Sequence, residues 1–452
     1  MVKTMGSTAG QKEDKQTHLY NHLTSNLACD KVGVFVNTGT WADLYQSLQR
    51  PEPGPVMTGF NANIDRVIPV TRALLGDLRL QSGPGFGALL DHLEQSMRYC
   101  SADELVIDDS SVFPIISDFF STAGSLAIGG QAGIAAIQMR RLNVALVTCA
   151  VPCAGPHTQT MLQDAGILPL TFDSGTGDHP DIIHLIFEYS PGFVPVADGV
   201  VPRSNRFIVS PVHDPSTVLI PGIREDSFPE QISTCRRAFL SGYQYLRKEQ
   251  EFVTAARQLL RIRGVHPRMR THVECVSGTT PPLLSMMLDH ILKNTDSIGL
   301  NEHELAMFTQ ALEAPDQRPL AVLPSSPVAL VHDALALAHA TGVPRLHLHT
   351  FGYYILILKP GVGQPELSRN ALLFAARQTA DAAGGSGQIL SREGLQAYAD
   401  IRTAFGTDES PGIFRTGDRI VVIIPTWISH NVRKTTGLGD ILSSTAFVAD
   451  PF

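Results

Sequence analysis

The stretch Lys434–Phe447 reads KTTGLGDILSSTAF, and its two glycines, Gly437 and Gly439, open a predicted helix. Glycines let backbone N–H groups approach an anion closely, and a helix N-terminus adds partial positive charge. Asp440 follows in the first turn, where a carboxylate can accept the proton of a hydroxyl group that attacks a phosphoryl group. An ordinary glycine turn with an acidic first-turn residue fits the same pattern, so this stretch alone leaves both interpretations open.

Length and composition restrict the class of protein. A chain of 452 residues exceeds the usual size of one core, and 43% apolar residues with mixed charge are typical of a globular protein. The net charge of −8, without a basic run, argues against a nucleic-acid surface. The six scattered cysteines predict free thiols in a reducing compartment. No apolar run reaches the roughly 20 residues of a membrane span. We therefore predict a cytoplasmic protein that does not bind membranes or nucleic acid, with a flexible tail over residues 1–40.

Short β-branched runs alternate with stretches of helical period, which is typical of an α/β fold. The predicted strands are Val56–Phe60, Val144–Cys149, Phe239–Ser241, Arg270–Val276, Arg345–Thr350, Tyr354–Lys359 and Arg419–Ile424. The predicted helices are Gly130–Leu142, Phe252–Arg263, Leu283–Lys293, Glu302–Leu312, Pro327–Thr341, Ala371–Ala383 and Asp440–Ala449.

Two regions depart from this alternation. Residues 69–123 are helical and irregular, and residues 171–205 suggest strands with Gly and Pro turns, notably Ile182–Tyr189. These regions either pair in space as a discontinuous lid domain or are long excursions of one domain. We predict the lid, with residues 41–68, 124–170 and 206–452 forming a large α/β domain.

Polar residues cluster where strands are predicted to end, and ligands of doubly wound sheets collect at the carboxyl ends of strands. The turn with Asn63 and Asp65 offers amide and carboxylate groups for sugar hydroxyls, although Asx hydrogen bonds within a turn explain it equally well. Gly129, Gly130 and Gln131 open a helix, where close backbone approach to a ligand and simple packing both favour glycine.

Further polar groups occur later in the chain. Strand alternation puts His272 and Glu274 on one face, a costly pair to bury without partners, which favours a site role. Asn301 and Glu304 have the spacing of a helix capping box, yet their oxygens also suit the waters around a Mg²⁺ ion. Arg206 beside a strand suits phosphate through its forked donors.

Taken together and in this order, the segments resemble the ADP-dependent sugar kinases, the branch of the ribokinase-like superfamily with ADP-dependent glucokinases and phosphofructokinases. The similarity extends from about Trp41 to the C-terminus. It implies a Rossmann-type, three-layer large α/β domain with a smaller α/β lid that closes over the sugar.

The resemblance also implies roles. Asp440 matches the catalytic base, with Gly437, Leu438 and Gly439 as backbone donors to the phosphate in transfer. Residues that match the Mg²⁺ site, largely through water, are Glu274, Glu304 and Asp440, with His272 beside them. Residues that match the ADP site are Arg206, Asn301, His349, Tyr353, Ile428 and Gly439.

Two positions favour glucose as acceptor. Glu104, in the segment Ala102–Leu105, matches a lid glutamate of the glucokinases, and a carboxylate accepts hydrogen bonds from glucose but repels a sugar 6-phosphate. His184 matches a glucokinase histidine. The implied sugar pocket is Asn63, Asp65, Glu104, Gly129, Gly130, Gln131, His184 and Asp440.

Departures from the family pattern are Thr436 in place of a valine and Ile441 in place of a threonine, which leave the base intact. An ADP-dependent phosphofructokinase or bifunctional enzyme, an ATP-dependent kinase of related fold, and a non-catalytic sensor remain alternatives. A monomer is compatible with the sequence.

Overall fold

The computed structural model describes residues 38–101, 103–172, 179–193, 200–220, 228–276, 280–313, 326–384, 388–429, 432 and 434–452. The predicted tail lies outside these ranges, apart from residues 38–40, which belong to the first helix. That helix buries Trp41 and Tyr45.

The strands, in chain order, are β1 Val56–Gly59, β2 Asn63–Pro69, β3 Asp103–Ile107, β4 Ser125–Gly129, β5 Val147–Ala150, β6 Leu168–Leu170, β7 Ile183–Tyr189, β8 Asn205–Pro211, β9 Arg237–Leu240, β10 Arg270–Glu274, β11 Ser297–Asn301, β12 Arg345–His349, β13 Tyr353–Leu358, β14 Gln388–Leu390, β15 Ile413–Thr416, β16 Arg419–Pro425 and β17 Trp427–Ser429.

The α-helices are α1 Thr38–Gln46, α2 Arg72–Arg79, α3 Phe86–Tyr99, α4 Val112–Phe119, α5 Gln131–Arg141, α6 Pro156–Asp164, α7 Phe228–Ile232, α8 Glu249–Gly264, α9 Pro281–Met286, α10 Glu302–Glu313, α11 Pro327–Thr341, α12 Pro365–Ala383, α13 Arg392–Phe405 and α14 Leu438–Ala449.

Within the described residues the largest sheet has ten strands in the order β15-β16-β13-β12-β11-β10-β9-β1-β5-β6. Strands β6 to β12 of this order pair in parallel, whereas β13, β15 and β16 join antiparallel. From β1 the chain order proceeds to β5 on one side and to β9 on the other. Such a switch point opens a crevice at the carboxyl ends of the strands, where ligands of α/β sheets bind.

Helices cover both faces of this sheet. Helix α14 contacts α5 and α12 on one face, and α11 contacts α10 and α13 on the other. Both groups also contact strands of the sheet. The α14 face is packed by a continuous apolar cluster that includes Val56, Met139, Phe239 and Phe447. The predicted three-layer α/β architecture is therefore confirmed.

A second sheet has the described order β3-β8-β7-β2-β4. Helices α2, α3 and α4 supply buried apolar residues over it, including Leu75, Leu89 and Ile116, which pack near Phe187 and Phe207. Strands β2 and β4 and most of β8 belong to this sheet although they lie in ranges that we predict as large domain. Between β1 and β2 the chain passes from one sheet to the other within three residues, Phe60–Ala62. The composition of so short a segment does not identify it as a linker. The division into lid and large domain stays a prediction.

Several predicted elements agree closely with the structure. Helix α11 has the predicted bounds, and the final helix starts two residues earlier than predicted, at Leu438. The predicted helix Leu283–Lys293 is wrong in its regularity. The α-helix ends at Met286, a wider π-helical turn follows over Met287–Ile291, and a short 3₁₀ turn ends the segment. The apolar spacing does not distinguish these turns from an α-helix.

Candidate active site

The polar groups predicted from the sequence meet where parallel strands of the large sheet end. Glu274 ends β10, Asn301 ends β11 and His349 ends β12. Gly437 adopts the left-handed conformation (φ 72°), which lets the chain turn sharply into α14. Helix α14 therefore begins at this edge, with Asp440 in its first turn.

The carboxyl group of Asp440 is electrostatically unusual. Burial raises its pKa to about 7, and the charge of Glu274 acts in the same direction. His349 and Arg206 oppose that shift through their positive charge. A carboxyl group with a pKa near neutrality is a stronger base than an ordinary aspartate, which suits proton abstraction at physiological pH.

Glu274 is the centre of a carboxylate–histidine cluster that also contains His272, His349 and Ser443. One oxygen, Oε1, lies 2.9 Å from His349 Nε2, while Oε2 lies 3.0 Å from His272 Nε2 and accepts the Ser443 hydroxyl. Burial opposes the charge of Glu274, but these contacts outweigh burial and lower its pKa to about 2. Burial likewise opposes the charge of His349, but Glu274 raises its pKa to about 9. The two groups form a buried ion pair.

The hydrogen bonds assign the proton of His272. The ionised carboxylate of Glu274 can only accept, so His272 Nε2, 3.0 Å from Glu274 Oε2, carries the ring proton and donates to it. His272 Nδ1 then accepts from Ser297 Oγ at 2.8 Å, and Ser297 Oγ accepts from Arg345 Nη1 at 2.9 Å. Burial lowers the pKa of His272, so the ring is neutral and orients Glu274.

The capping interpretation of Asn301 and Glu304 is confirmed. Asn301 Oδ1 accepts from the backbone N–H groups of His303 and Glu304, each at 2.9 Å. Glu304 Oε2 accepts from the backbone N–H of Asn301 at 2.8 Å. This reciprocal pair starts α10.

The predicted magnesium residues do not come together as a direct cage. Among the described residues, no group of three or more His, Cys, Asp or Glu side chains is arranged to hold a metal ion. Both oxygens of Glu274 already contact histidine or serine. An ionised Glu274 near Asp440 nevertheless suits Mg²⁺, which retains several of its waters and contacts carboxylates through them.

The predicted sugar residues lie where β2 and β4 of the second sheet meet α5. Asn63 pairs with Gly129 across these strands, and its amide donates to Asp65 Oδ1 at 2.8 Å. A side chain on Gly129 would overlap the Asp65 carboxylate, and Gly130 has φ 70° with no room for a Cβ beside Asn61. Burial raises the pKa of Asp65 to about 6, against the hydrogen bond from Asn63. Gln131 follows as the first residue of α5.

His184 is in register with Asp65 on the neighbouring strand β7. Its Nε2 lies 2.8 Å from His213 Nε2, and the His213 ring stacks on Tyr245 with centroids 4.1 Å apart. Burial lowers the pKa of His184 to about 3 and that of His213 to about 4, so both rings are neutral. Sequence reasoning missed His213 and Tyr245, since neither belongs to a motif.

Glu104 extends from β3 of the same sheet and accepts from Ser210 Oγ at 2.6 Å. Burial has the largest effect on the pKa values of Asp65 and Tyr245, and the negative charge of Glu104 raises both pKa values further. Glu104 therefore faces the same space as the predicted sugar residues.

Arg206 links the second sheet to the turn before α14. Its Nη1 donates to the carbonyl of Thr435 at 3.3 Å. Burial lowers the pKa of its guanidinium, whereas Asp440, Glu188 and Asp65 raise it. Burial also lowers the pKa of Lys434, and the same three carboxylates raise it by a smaller amount. Sequence reasoning missed Glu188 and Lys434, although Lys434 is part of the opening stretch.

Two further residues of the predicted ADP site, Tyr353 and Ile428, lie on antiparallel strands of two different sheets. Tyr353 begins β13, four residues after His349, and is buried. Ile428 is on β17, opposite Ile389 of β14. Their contact with a nucleotide stays a prediction.

Fold and site together define an α/β protein in which a partly buried carboxylate at a glycine-flanked helix N-terminus faces a crevice containing cationic side chains. The family model described as the ADP-specific phosphofructokinase/glucokinase conserved region matches residues 54–449. The chain belongs to this family and is an ADP-dependent sugar kinase. The family resemblance noted in the sequence is thereby confirmed.

Individual relatives agree with this assignment. The ADP-dependent glucose/glucosamine kinase of Pyrococcus furiosus is 29% identical, covering 91% of this chain and 98% of the relative. The ADP-specific phosphofructokinase of Methanosarcina acetivorans is 26% identical, covering 71% and 75%. A solved ADP-dependent kinase complex with fructose-6-phosphate and ADPβS has a TM-score of 0.72 at 25% identity, covering 91% of this chain and 96% of that one.

No helix within the described residues is long and apolar enough to cross a membrane. The predicted cytoplasmic location and monomeric state stay predictions.

Proposed function

We propose that this ADP-dependent sugar kinase transfers the terminal phosphoryl group of ADP to the 6-hydroxyl of glucose, giving glucose 6-phosphate and AMP. The observation that carries the proposal is the position of Asp440, whose raised pKa of about 7 makes it a strong base at the N-terminus of α14. Predicted sugar residues lie on one side of it and the carboxylate–histidine cluster on the other.

In the proposed reaction, Asp440 accepts the proton of the glucose 6-hydroxyl as its oxygen forms a bond to phosphorus, and the bond from that phosphorus to the bridging oxygen of ADP breaks. Arg206 and the backbone N–H groups of Gly437, Leu438 and Gly439 stabilise the charge on the phosphoryl oxygens. Transfer to water is suppressed if the second sheet closes over the sugar as a lid.

Glu274, Glu304 and Asp440 are the residues proposed to hold Mg²⁺ through its waters. When bound, the ion neutralises phosphate charge. The ion pair of Glu274 with His349 keeps both side chains ionised in the crevice. His349 thus presents a cation next to the glycine turn, where a Cβ on Gly439 would lie 3.5 Å from His349 Cε1.

Two arguments support glucose. Glu104 brings negative charge to the sugar side, and a carboxylate repels the phosphate of fructose 6-phosphate. The relatives with the higher identity, at 29%, are glucose/glucosamine kinases, whereas the phosphofructokinases reach 23–26%. The structural similarity to a kinase complex with fructose-6-phosphate makes phosphofructokinase activity, alone or with glucokinase activity, the alternative.

One assay tests the proposal. Purified protein is given ADP and Mg²⁺ with either glucose or fructose 6-phosphate, and AMP is measured; in a parallel set ATP replaces ADP and formation of ADP is measured. We expect AMP with glucose. Activity confined to fructose 6-phosphate would establish the alternative, and absence of AMP with either sugar would reject both.

Glu104→Gln tests sugar selection. Loss of the charge that accepts from glucose should raise KM for glucose by about tenfold and leave fructose 6-phosphate binding no weaker. Asp103→Asn is the matched control, because its side chain extends to the opposite face of β3. Unchanged KM in Glu104→Gln would remove Glu104 from the sugar pocket.

A further inference from the structure

A second concave site lies at the opposite edge of the large sheet from Asp440. Its open cavity of about 1140 Å³ is lined by the loops that precede β1, β9 and β10 and by the end of α14. Helix α14 runs between the two sites, and its 12 residues correspond to about 18 Å at 1.5 Å per residue. A ligand in this cavity would not overlap a substrate beside Asp440.

The lining is strongly basic. Arg236, Arg237, Arg268 and Arg270 line the cavity with His266, and we call this site the basic pocket. The acidic residues that line it are Glu52 and Asp450. Asp450 is already neutralised by Arg345, whose Nε lies 2.9 Å from Asp450 Oδ2. The pocket thus concentrates positive charge on a chain whose net charge is −8.

One of these arginines has a structural role. Arg237 Nη2 donates to the carbonyl of Asp450 at 2.6 Å, and its guanidinium lies over the rings of Phe447 and Phe452. It therefore stabilises the C-terminal end of α14, where a cation is favourable. Arg236, Arg268 and Arg270 are not needed to stabilise this end of α14. In the described part of the chain, none of their three guanidinium groups has an ion pair or hydrogen-bond partner.

The backbone of the pocket is held in place. The N–H of Arg236 donates to the carbonyl of Pro55 at 3.2 Å, and the N–H of Arg270 donates to that of Arg236 at 3.0 Å. The N–H of Arg268 donates to His266 Nδ1 at 3.0 Å. In addition, Val56, Arg237 and Arg270 are in register on adjacent parallel strands. Three unpaired guanidinium groups are thus carried by connected backbone around a cavity of ligand size.

We propose that the basic pocket binds a small anion with a chain of two or more phosphate groups. Guanidinium groups bind phosphate through paired N–H donors, and several around one cavity match several phosphates. A long nucleic acid is a poorer match, because the acidic remainder of the protein would repel it beyond the pocket. The proposal is independent of which sugar the kinase phosphorylates.

The test compares two triple variants with equal loss of charge. The pocket variant carries Arg236→Gln, Arg268→Gln and Arg270→Gln; the control carries Arg98→Gln, Arg257→Gln and Arg392→Gln, all exposed and elsewhere on the described surface. Calorimetric titration with inorganic tripolyphosphate should give affinity that is lower by about tenfold for each pocket arginine removed, and by little in the control. Affinity of the wild type should also fall as salt is added. Melting temperatures establish whether both triple variants are folded. If the pocket variant is not folded, the single variant Arg268→Gln replaces it.

Location is established with crystals soaked in tungstate, a heavy oxyanion with a strong anomalous signal. Signal in the basic pocket supports the proposal; signal in the catalytic crevice alone would overturn it. Equal tripolyphosphate affinities of the two triple variants would also overturn it. ATP and a 12-nucleotide single-stranded DNA are titrated into the same variants as further ligands. Binding of ATP that weakens in the pocket variant and not in the control supports a phosphate-chain site, whereas binding of DNA without tripolyphosphate would show a nucleic-acid surface instead.

Discussion

The two sides of the crevice differ in how their polar groups are paired. On the large-sheet side, Glu274 is in contact with His272, His349 and Ser443 and carries its charge in a buried ion pair. On the second-sheet side, the acidic group Asp65 has a pKa raised to about 6 by burial and a neutral amide as its close partner. The large-sheet side therefore keeps a fixed ion pair for a charged ligand, while the second-sheet side combines hydrogen-bonding groups suited to hydroxyls with the charges of Glu104 and Arg206. This division fits a phosphate donor on one side and an uncharged sugar on the other.

Asp440 lies between the two sides, so its removal should have the largest effect. Asp440→Asn keeps the size of the side chain but cannot accept the hydroxyl proton, and kcat should fall by about 10³-fold with little change in the affinity for glucose. AMP release and glucose binding are measured separately, with Asp91→Asn, an exposed residue of α3, as control. Near-normal turnover would exclude Asp440 as the base.

Disruption of the Glu274–His349 ion pair on the large-sheet side should have the next largest effect. Glu274→Gln removes the charge that holds His349 protonated, so burial would lower the pKa of His349 well below about 9. Loss of a buried orienting partner typically costs about 10–100-fold in activity, and we expect kcat to fall in that range. The pKa is read from the histidine NMR signals, with exposed Glu366→Gln as control. A His349 signal that still titrates near 9 would contradict the ion pair.

The same ion pair makes stability depend on pH. The pKa of His349 is raised in the folded protein, so its contribution is fully present below its unfolded value near 6.5 and is lost as pH rises through about 9. Glu274 has a lowered pKa, so its contribution is lost as pH falls through about 2. The difference in unfolding free energy between wild type and Glu274→Gln should therefore shrink between pH 6.5 and 9. A difference that is constant over this range would contradict the assignment.

The pH dependence of turnover separates the two sides further. Because the ionised form of Asp440 is the proposed base, kcat/KM for glucose should rise with pH through about 7 and be about tenfold below its plateau at pH 6. Below about 6, Asp65 also becomes protonated and the decline should steepen. Initial rates between pH 5.5 and 8.5 provide the profile. A flat profile from 6 to 8 would show that Asp440 does not titrate as described.

The smallest expected effect is on the sugar side. His213 contacts His184 and stacks on Tyr245, so we expect it to act as a positioning residue for His184. His213→Phe keeps the stacking but removes the hydrogen bond, and KM for glucose should rise about fivefold with kcat nearly unchanged. His213→Gln should partly restore KM. If His213→Phe keeps the wild-type KM and His213→Gln raises it, stacking alone is the role of His213.

Sequence patterns predicted one side of this site better than the other. The period-two alternation of β10 correctly placed His272 and Glu274 together, and the spacing of Asn301 and Glu304 correctly indicated a capping box. These pairs are two or three residues apart, so local backbone geometry brings them into contact. By contrast, His184 contacts His213, which is 29 residues away in the sequence, and Thr436 contacts Glu188, which is 248 residues away. No local period contains such information.

The amino-acid sequence by itself determined the α/β alternation, the glycine turn before α14 and the residues that share a strand face or a helix cap. These features follow from the backbone conformations that neighbouring residues adopt. Only the tertiary structure decided that β2, β4 and β8 belong to a second sheet, that Arg206 reaches Thr435, and that four arginines line a cavity at the opposite edge of the large sheet. Strand pairing and burial are set by the packing of distant segments, and the same packing gives Asp440 its raised pKa.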